Sequence, residues 1–316
     1  MQSLAIRCAF LLMLFGFNPL MAAENMITIA FVGDVMLDET PGQYIKRGHD
    51  PFKNFSQILE ASDIRIANLE CAVSSKPGKR EEKPYTFKAH PRVLPLLAKY
   101  FSAVSLANNH SYDFGEETFL ETLNLLKKNK VNYFGGGNNI FEAHQPIIFN
   151  VKNKKIALLG YNEFFPRSFE ALHDRAGIAW SEDDFVVDGI KKARAVYGAD
   201  YVITFPHWGI EHEKVASARQ NHLARLMIDS GADAVIGGHP HVTQNIEIYK
   251  GKPIFYSLGN FVFNGFTDDD ANTGWLVQLL LKEETINWVI YEAKLDNLGI
   301  PRYSRILENK SNTSIP

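Results

Sequence analysis

Ile27-Thr28-Ile29-Ala30-Phe31-Val32-Gly33-Asp34 is a short apolar run that stops on a glycine and a carboxylate. Its length and β-branched content read as a buried strand, and the polar group stands where that strand ends. The arrangement returns along the chain. Residues 64–68 lead to Leu69-Glu70, 103–107 to Asn108-Asn109-His110, 201–206 to His207-Trp208-Gly209, and 234–237 to Gly238-His239-Pro240-His241. Residues 156–161 and 254–258 read as further strands, and apolar residues fall at helical spacing over 91–100, 116–130, 183–197 and 216–230. Strands alternating with helices predict an α/β fold.

Helical spacing stops after Leu258. Residues 275–281 and 286–295 read as a meander about Glu283-Glu284 that completes a second sheet packed on the first. No Pro/Gly-rich linker and no repeat of fixed period divides the chain. One domain is therefore expected over 24–308, with 309–316 as a frayed tail.

Of 316 residues, 46% are hydrophobic and 22% charged, which suits a folded soluble protein and not a disordered, collagenous or coiled-coil chain. The start departs from that average: Arg7, an apolar run over 8–17, then Met21-Ala22-Ala23. This reads as a secretory signal peptide over residues 1–23, cut after Ala22 or Ala23, with a periplasmic or extracellular product. The run is too short to span a bilayer, and Cys8 precedes it instead of ending it, against a lipid anchor. With 33 basic and 36 acidic residues the net charge is −3, and losing Arg7 makes it one unit more negative. Such a mild balance does not fit a nucleic-acid binder. Cys71 would be the only cysteine left, which excludes an internal disulfide; it reads as a small core residue.

In open α/β sheets ligands gather at the carboxyl ends of strands, so the polar strand ends should converge. The carboxylates of Asp34 and Glu70, the amide of Asn109 and the imidazoles of His207, His239 and His241 together suit borderline divalent metals such as zinc, manganese or iron. Six donors exceed the needs of one tetrahedral ion, whereas two ions bridged by a carboxylate would use them all. His239 and His241, two apart, would point the same way in an extended segment. Any one of these histidines alone reads as an ordinary hydrogen-bonded residue; the agreement of five strand ends points to a site. Residues 74–83, with Lys76, Lys79, Arg80 and Lys83 among Glu81-Glu82, read as a solvated loop or as a rim that grips an acidic substrate. Asp268-Asp269-Asp270 reads as solvated surface, with calcium binding as its functional alternative.

In order along the chain stand Gly33-Asp34, Asn68-Leu69-Glu70, Asn108-Asn109-His110 with Asp113 and Gly115, His207-Trp208-Gly209 with Glu211, Gly238-His239-Pro240-His241, and Leu258-Gly259-Asn260-Phe261. Over residues 26–264 the chain resembles the CapA family of bacterial capsule and poly-γ-glutamate synthesis proteins, a branch of the calcineurin-like metallophosphoesterase superfamily. The resemblance implies a four-layered α/β/β/α sandwich and a divalent metal centre of one or two ions (Mn, Zn or Fe). Glu70 would bridge, Asp34 and His241 would serve one ion, and Asn109, His207 and His239 the other. Such ions activate water and clamp the charge of an in-line displacement. His110, oriented by Asp113, would be the general acid. Of three residues recurring beside the site, Trp208 reads as packing rather than a substrate platform, Glu211 as a partner holding an imidazole, and Asn260 as fixing the turn after its strand.

Two positions depart from the superfamily pattern: Met36 stands where a histidine ligand is expected, and Glu70 where an aspartate is. One ion thereby loses a nitrogen ligand. Two functions follow. One is an exported metal-dependent hydrolase of phosphoester or related bonds in an envelope substrate. The other is a non-catalytic component that binds an anionic envelope polymer, with Lys76, Lys79, Arg80 and Lys88 as its rim, in a membrane-bound polymer synthase complex. An adhesion or scaffolding domain with a relict site is a third, which so many retained donors speak against.

Overall fold

The computed structural model describes residues 26–310 apart from Glu284, so the expected signal peptide lies outside the described residues. Alternation along the first strand, Ile27–Val35, sets the layering. Ile29 and Phe31 join Ile66 and Leu279 and meet Leu158, Ile203, Phe205 and Ile236 of a second sheet. Phe31 and Phe205 touch edge to face across this core, their ring centroids 5.8 Å apart. Ala30 and Val32 face the other way, onto Leu97, Phe119, Leu123 and Leu126 of flanking helices, in a core that also buries Cys71. The second sheet turns Leu159, Val202 and Val235 outward onto Val186, Ile190, Leu223 and Met227. The result is the expected four-layered α/β/β/α sandwich, with an apolar core between each pair of layers.

The first sheet runs Pro301–Asn309, Thr285–Leu295, Thr273–Lys282, Ile27–Val35, Ile64–Leu69, Ala103–Ser105, Asn132–Phe134. Pairing is antiparallel up to Ile27–Val35 and parallel beyond it. Asn260–Val262 pairs parallel with the end of Ile27–Val35. The second sheet runs Ile246–Tyr249, Lys252–Phe255, Ala234–Ile236, Tyr201–His207, Lys154–Asn162, Ile147–Val151, its four inner strands parallel and its two outer ones antiparallel to their neighbours.

The helices follow from local chemistry. In Gly115–Lys128, Glu116 and Glu117 occupy the first turn and Lys127 and Lys128 the last, matching the helix dipole. Its Phe119, Leu123 and Leu126 make one buried stripe, each contributing roughly 1.5–3 kcal/mol by burial. Ala218–Asp229 opens on a capping box between Ser217 and Gln220. Among the described residues no helix is long and apolar enough to cross a membrane.

The meander differs from expectation. It does not complete the second sheet but joins the first, with Ile27 opposite Leu281 and Val32 opposite Leu276. Ile27–Val35 takes Ile64–Leu69 on one side, and on its other side Thr273–Lys282 pairs along most of its length with Asn260–Val262 at its end. Gly274 lets the incoming strand pass, since a Cβ there would lie 1.7 Å from the Asn260 carbonyl oxygen. Asn309, expected in the tail, closes the strand Pro301–Asn309 opposite Val289, and the Lys310 N–H donates to the Trp288 carbonyl at 2.9 Å. The otherwise unpaired edge of Thr285–Leu295 accounts for this last strand.

Candidate metal centre

Strand registers bring the polar ends together. Asp34 lies opposite Asn68 on one side and Asn260 on the other, and His207 lies opposite Gly238 in the second sheet. Gly238 has no Cβ to collide with the Asp34 carboxylate, which would stand 2.8 Å from it, and the His239 N–H donates to Asp34 Oδ2 at 3.2 Å. Asp34, Glu70, Asn109, His110, His207, His239 and His241 are all buried.

Glu70 Oε1 is the focus of the group. The Nε2 atoms of His207, His241 and His110 stand 3.7, 3.9 and 4.0 Å from it, and it has no hydrogen-bond partner. These gaps are too long for hydrogen bonds and suit a cation bonded at about 2.0–2.2 Å to either side. Asp34, Glu70 and His207 each place one ligand atom within 4.8 Å of the others, and Asn109 Oδ1 lies 2.8 Å from His207 Nε2. Both ring nitrogens of the buried His239 also lack partners. An orphaned carboxylate oxygen and an orphaned imidazole in one buried cluster cost free energy that a divalent ion would recover, so the donor set fits one.

The charges agree with that fit. Burial, then the neighbouring Asp34, holds Glu70 well above the usual carboxylate range; burial raises Asp34 against the opposing pull of His241 and Asn68. Burial and the surrounding histidines hold His207 and His239 well below the ordinary histidine range, so both are neutral, the ligating form.

His239 and His241 do not sit in an extended segment as the sequence suggested. Their φ angles are +97° and +58°, and left-handed backbone turns both rings inward. For non-glycine residues this conformation carries strain of the kind found at ligand sites. Phe164 covers His239, ring centroids 3.8 Å apart.

Asn108 and Asn68 knit the strand ends together. Asn108 Nδ2 donates to Asn68 Oδ1 at 2.8 Å and to the Leu69 carbonyl at 2.9 Å, and its Oδ1 accepts from the His110 N–H at 3.0 Å. Asn68 Nδ2 donates to Asp34 Oδ1 at 2.8 Å and lies 3.1 Å from His207 Nδ1. His110 Nδ1 lies 2.7 Å from Asp113 Oδ2, which also accepts from the Phe87 N–H.

Trp208 is a packing residue: buried in the outer core, its indole N–H donates to the Tyr256 carbonyl. Asn260 does more than fix a turn, since its Oδ1 meets His241 Nδ1 at 2.9 Å. Glu211 holds no imidazole. Gly209 takes a φ of +94° and the His212 N–H bonds the Pro240 carbonyl, which leaves Glu211 exposed. Met36 is fully buried in the core, its sulfur 3.2 Å from the Asp38 N–H. Of the expected basic rim, Lys88 folds back onto the Lys76 and Pro77 carbonyls and Lys76 turns to Glu121, while Lys79 and Arg80 are exposed. In the acidic stretch Asp270 pairs with Lys214 and Asp268 caps the Ala271 N–H.

Residues 28–265 match the family model described as bacterial capsule synthesis protein PGA_cap. The PGA biosynthesis protein CapA of Bacillus subtilis is 32% identical over 271 residues, covering 83% of this chain and 69% of that protein. The capsule biosynthesis protein CapA of Bacillus anthracis is 32% identical over 255 residues, covering 78% of this chain and 62% of that protein. Among solved structures, the NAD nucleotidase of Haemophilus influenzae aligns with a TM-score of 0.43 at 13% identity, over 89% of this chain and 55% of that one.

Proposed function

The chain belongs to the family described as bacterial capsule synthesis protein PGA_cap, and from that membership we propose an exported, metal-dependent hydrolase of phosphoester or related bonds in an envelope substrate of capsule or poly-γ-glutamate type polymer synthesis. One observation carries the reading: three imidazole Nε2 atoms ring an unpartnered, buried carboxylate oxygen, Glu70 Oε1, at 3.7–4.0 Å. A structural carboxylate would bond one of them directly. Glu70, Asp34, Asn109, His207, His239 and His241 would hold one or two ions of Mn, Zn or Fe. Bound ions would supply Lewis acidity toward a phosphoryl oxygen and an activated water. Around them Asn68 and Asn260 orient Asp34 and His241, and Phe164 shields His239. His110 presents Nε2 to the same space with Asp113 behind it, the placement of a proton donor for a leaving oxygen.

Metal analysis of the purified mature protein tests this, with Glu70→Ala and His239→Ala for comparison and an aryl phosphodiester as substrate. Stoichiometric metal and turnover, both lost in the variants, are expected. A metal-free protein that works fully in its pathway would sink the reading.

Met36 favours a second reading, a polymer-binding component of a membrane-bound synthase complex. Its sulfur is occupied by the Asp38 N–H inside the core, so no side chain from that position reaches the centre. On this reading, charge reversal at Lys79 and Arg80 abolishes binding of an anionic polymer and His110→Ala leaves it intact.

A further inference from the structure

From the sequence, residues 74–83 read as a solvated loop or as a rim for an acidic substrate, and residues 75–80 are exposed. Lys83 is not. Its side chain is only 16% exposed, and its Nζ donates to the Asn109 carbonyl at 2.5 Å, pairs with Asp113 Oδ1 at 2.5 Å and lies 3.3 Å from His110 Nδ1. The loop, continuing to Phe87, grips the same turn four more times: the Lys79 N–H donates to the Phe114 carbonyl, the Glu81 N–H to the Asp113 carbonyl, the Phe87 N–H to Asp113 Oδ2, and the Phe87 ring packs on His110 with centroids 4.6 Å apart. Residues 108–114 form no helix or strand of their own. Asn108 fixes them from the inside, and Lys83 is the side chain that bonds their backbone from the loop.

We propose that Lys83 is a positioning residue of this centre, clamping from outside the turn that carries Asn109 and His110. Burying an ammonium is costly unless its contacts are good, and here both short ones go to that turn. A lysine needed only for packing would send its charge to water; here Nζ stays inside, 5.5 Å from the Phe169 ring centroid. That Asn109 and His110 act as ligand and acid rests on the function proposed above; the clamp itself rests on the contacts alone.

Hydrogen exchange in metal-free protein reads the clamp directly. Lys83→Met is expected to speed exchange at the Glu81, Phe87 and His110 amides by about tenfold or more, with Tm close to that of Lys79→Met, an exposed control. Lys83→Arg should restore slow exchange. In a Mn²⁺ titration Lys83→Met should bind about 10- to 100-fold more weakly, with Lys83→Arg recovering most of the loss. Wild-type exchange at the three amides in Lys83→Met overturns the proposal, as does wild-type Mn²⁺ affinity in that variant. Faster exchange throughout the protein with a lowered Tm, not rescued by arginine, assigns Lys83 to the fold and overturns it too. A wild-type chain that takes up no Mn²⁺ removes the metal reading, and the exchange data then decide the clamp alone.

Discussion

His241 Nδ1 donates to Asn260 Oδ1 at 2.9 Å. The orientation of that amide is settled by its other half, since Asn260 Nδ2 donates to the carbonyls of His241 and Ala271 at 3.2 and 2.9 Å. The Nδ1–H tautomer is therefore the one this amide selects, and it turns a bare Nε2 toward Glu70 Oε1, 3.9 Å away. Partners of this kind orient a ligand ring and raise its basicity. Asn260→Ala is expected to weaken Mn²⁺ binding about 10- to 100-fold, measured by competition with a chelator. Affinity equal to that of the wild type would reduce Asn260 to a turn residue.

Asp34 and Glu70 are both fully buried, and burial followed by Asp34's charge lifts Glu70 far above an exposed carboxylate. Without a cation the pair retains a proton at pH values where surface carboxylates have lost theirs; a divalent ion expels it. Binding should therefore release protons and tighten as pH rises. Calorimetric Mn²⁺ titrations at pH 7 in two buffers of different ionisation enthalpy should give different apparent enthalpies. Glu70→Gln should lose that difference together with most of the affinity. Equal enthalpies in the two buffers for the wild type would contradict the proton release.

The strand ends were legible because two independent signals coincide there: an apolar run fixes where the chain enters the sheet, and a donor of unusual type marks where it leaves. Asn68 was within reach of the same logic, being two residues before Glu70 at a strand end and so on the same face. Lys83 was not, because nothing periodic connects a charged loop to the turn it clamps. Glu211 shows the opposite failure. Four residues beyond His207 means one turn only on a helix, and Gly209 with φ +94° sends the chain outward instead. Pairing of the meander was illegible for a third reason: its alternation fits either sheet, and the close approach that Gly274 allows to the Asn260 carbonyl carries no periodic signal.

His144 offers a test of stability at a residue outside the donor set. Both its ring nitrogens are buried without partners beside Tyr161 and Phe185. Burial pushes its pKa down to about 4, against a smaller upward pull from Asp188. As pH falls below about 6.5 the unfolded chain takes up a proton that the folded chain refuses until about pH 4. The stability present at neutral pH is thus lost across that window. Between pH 7 and 4.5 the wild type should lose about 2 kcal/mol more than His144→Leu in urea unfolding. Equal losses would show that the ring is solvated in the native state.

His110 decides between turnover and binding. Asp113 Oδ2, 2.7 Å from His110 Nδ1, is a carboxylate oxygen, so Nδ1 is the donor there and Nε2 is the atom turned to Glu70, 4.0 Å away. A ring held in this way delivers a proton to a leaving oxygen only when it is protonated on both nitrogens; burial disfavours that form and Asp113 works against burial. Its value depends on the leaving group. An alkoxide needs the proton, whereas p-nitrophenolate departs without it. His110→Ala is therefore expected to lower kcat about 10²- to 10⁴-fold on an alkyl phosphodiester and far less on bis(p-nitrophenyl) phosphate, at unchanged metal content. Asp113→Asn should follow the same order with a smaller loss. Equal losses on both esters would make His110 a binding group, and undiminished activity on both would remove it from the chemistry, leaving Glu70, His207 and His239 as a centre that works without an acid at that position.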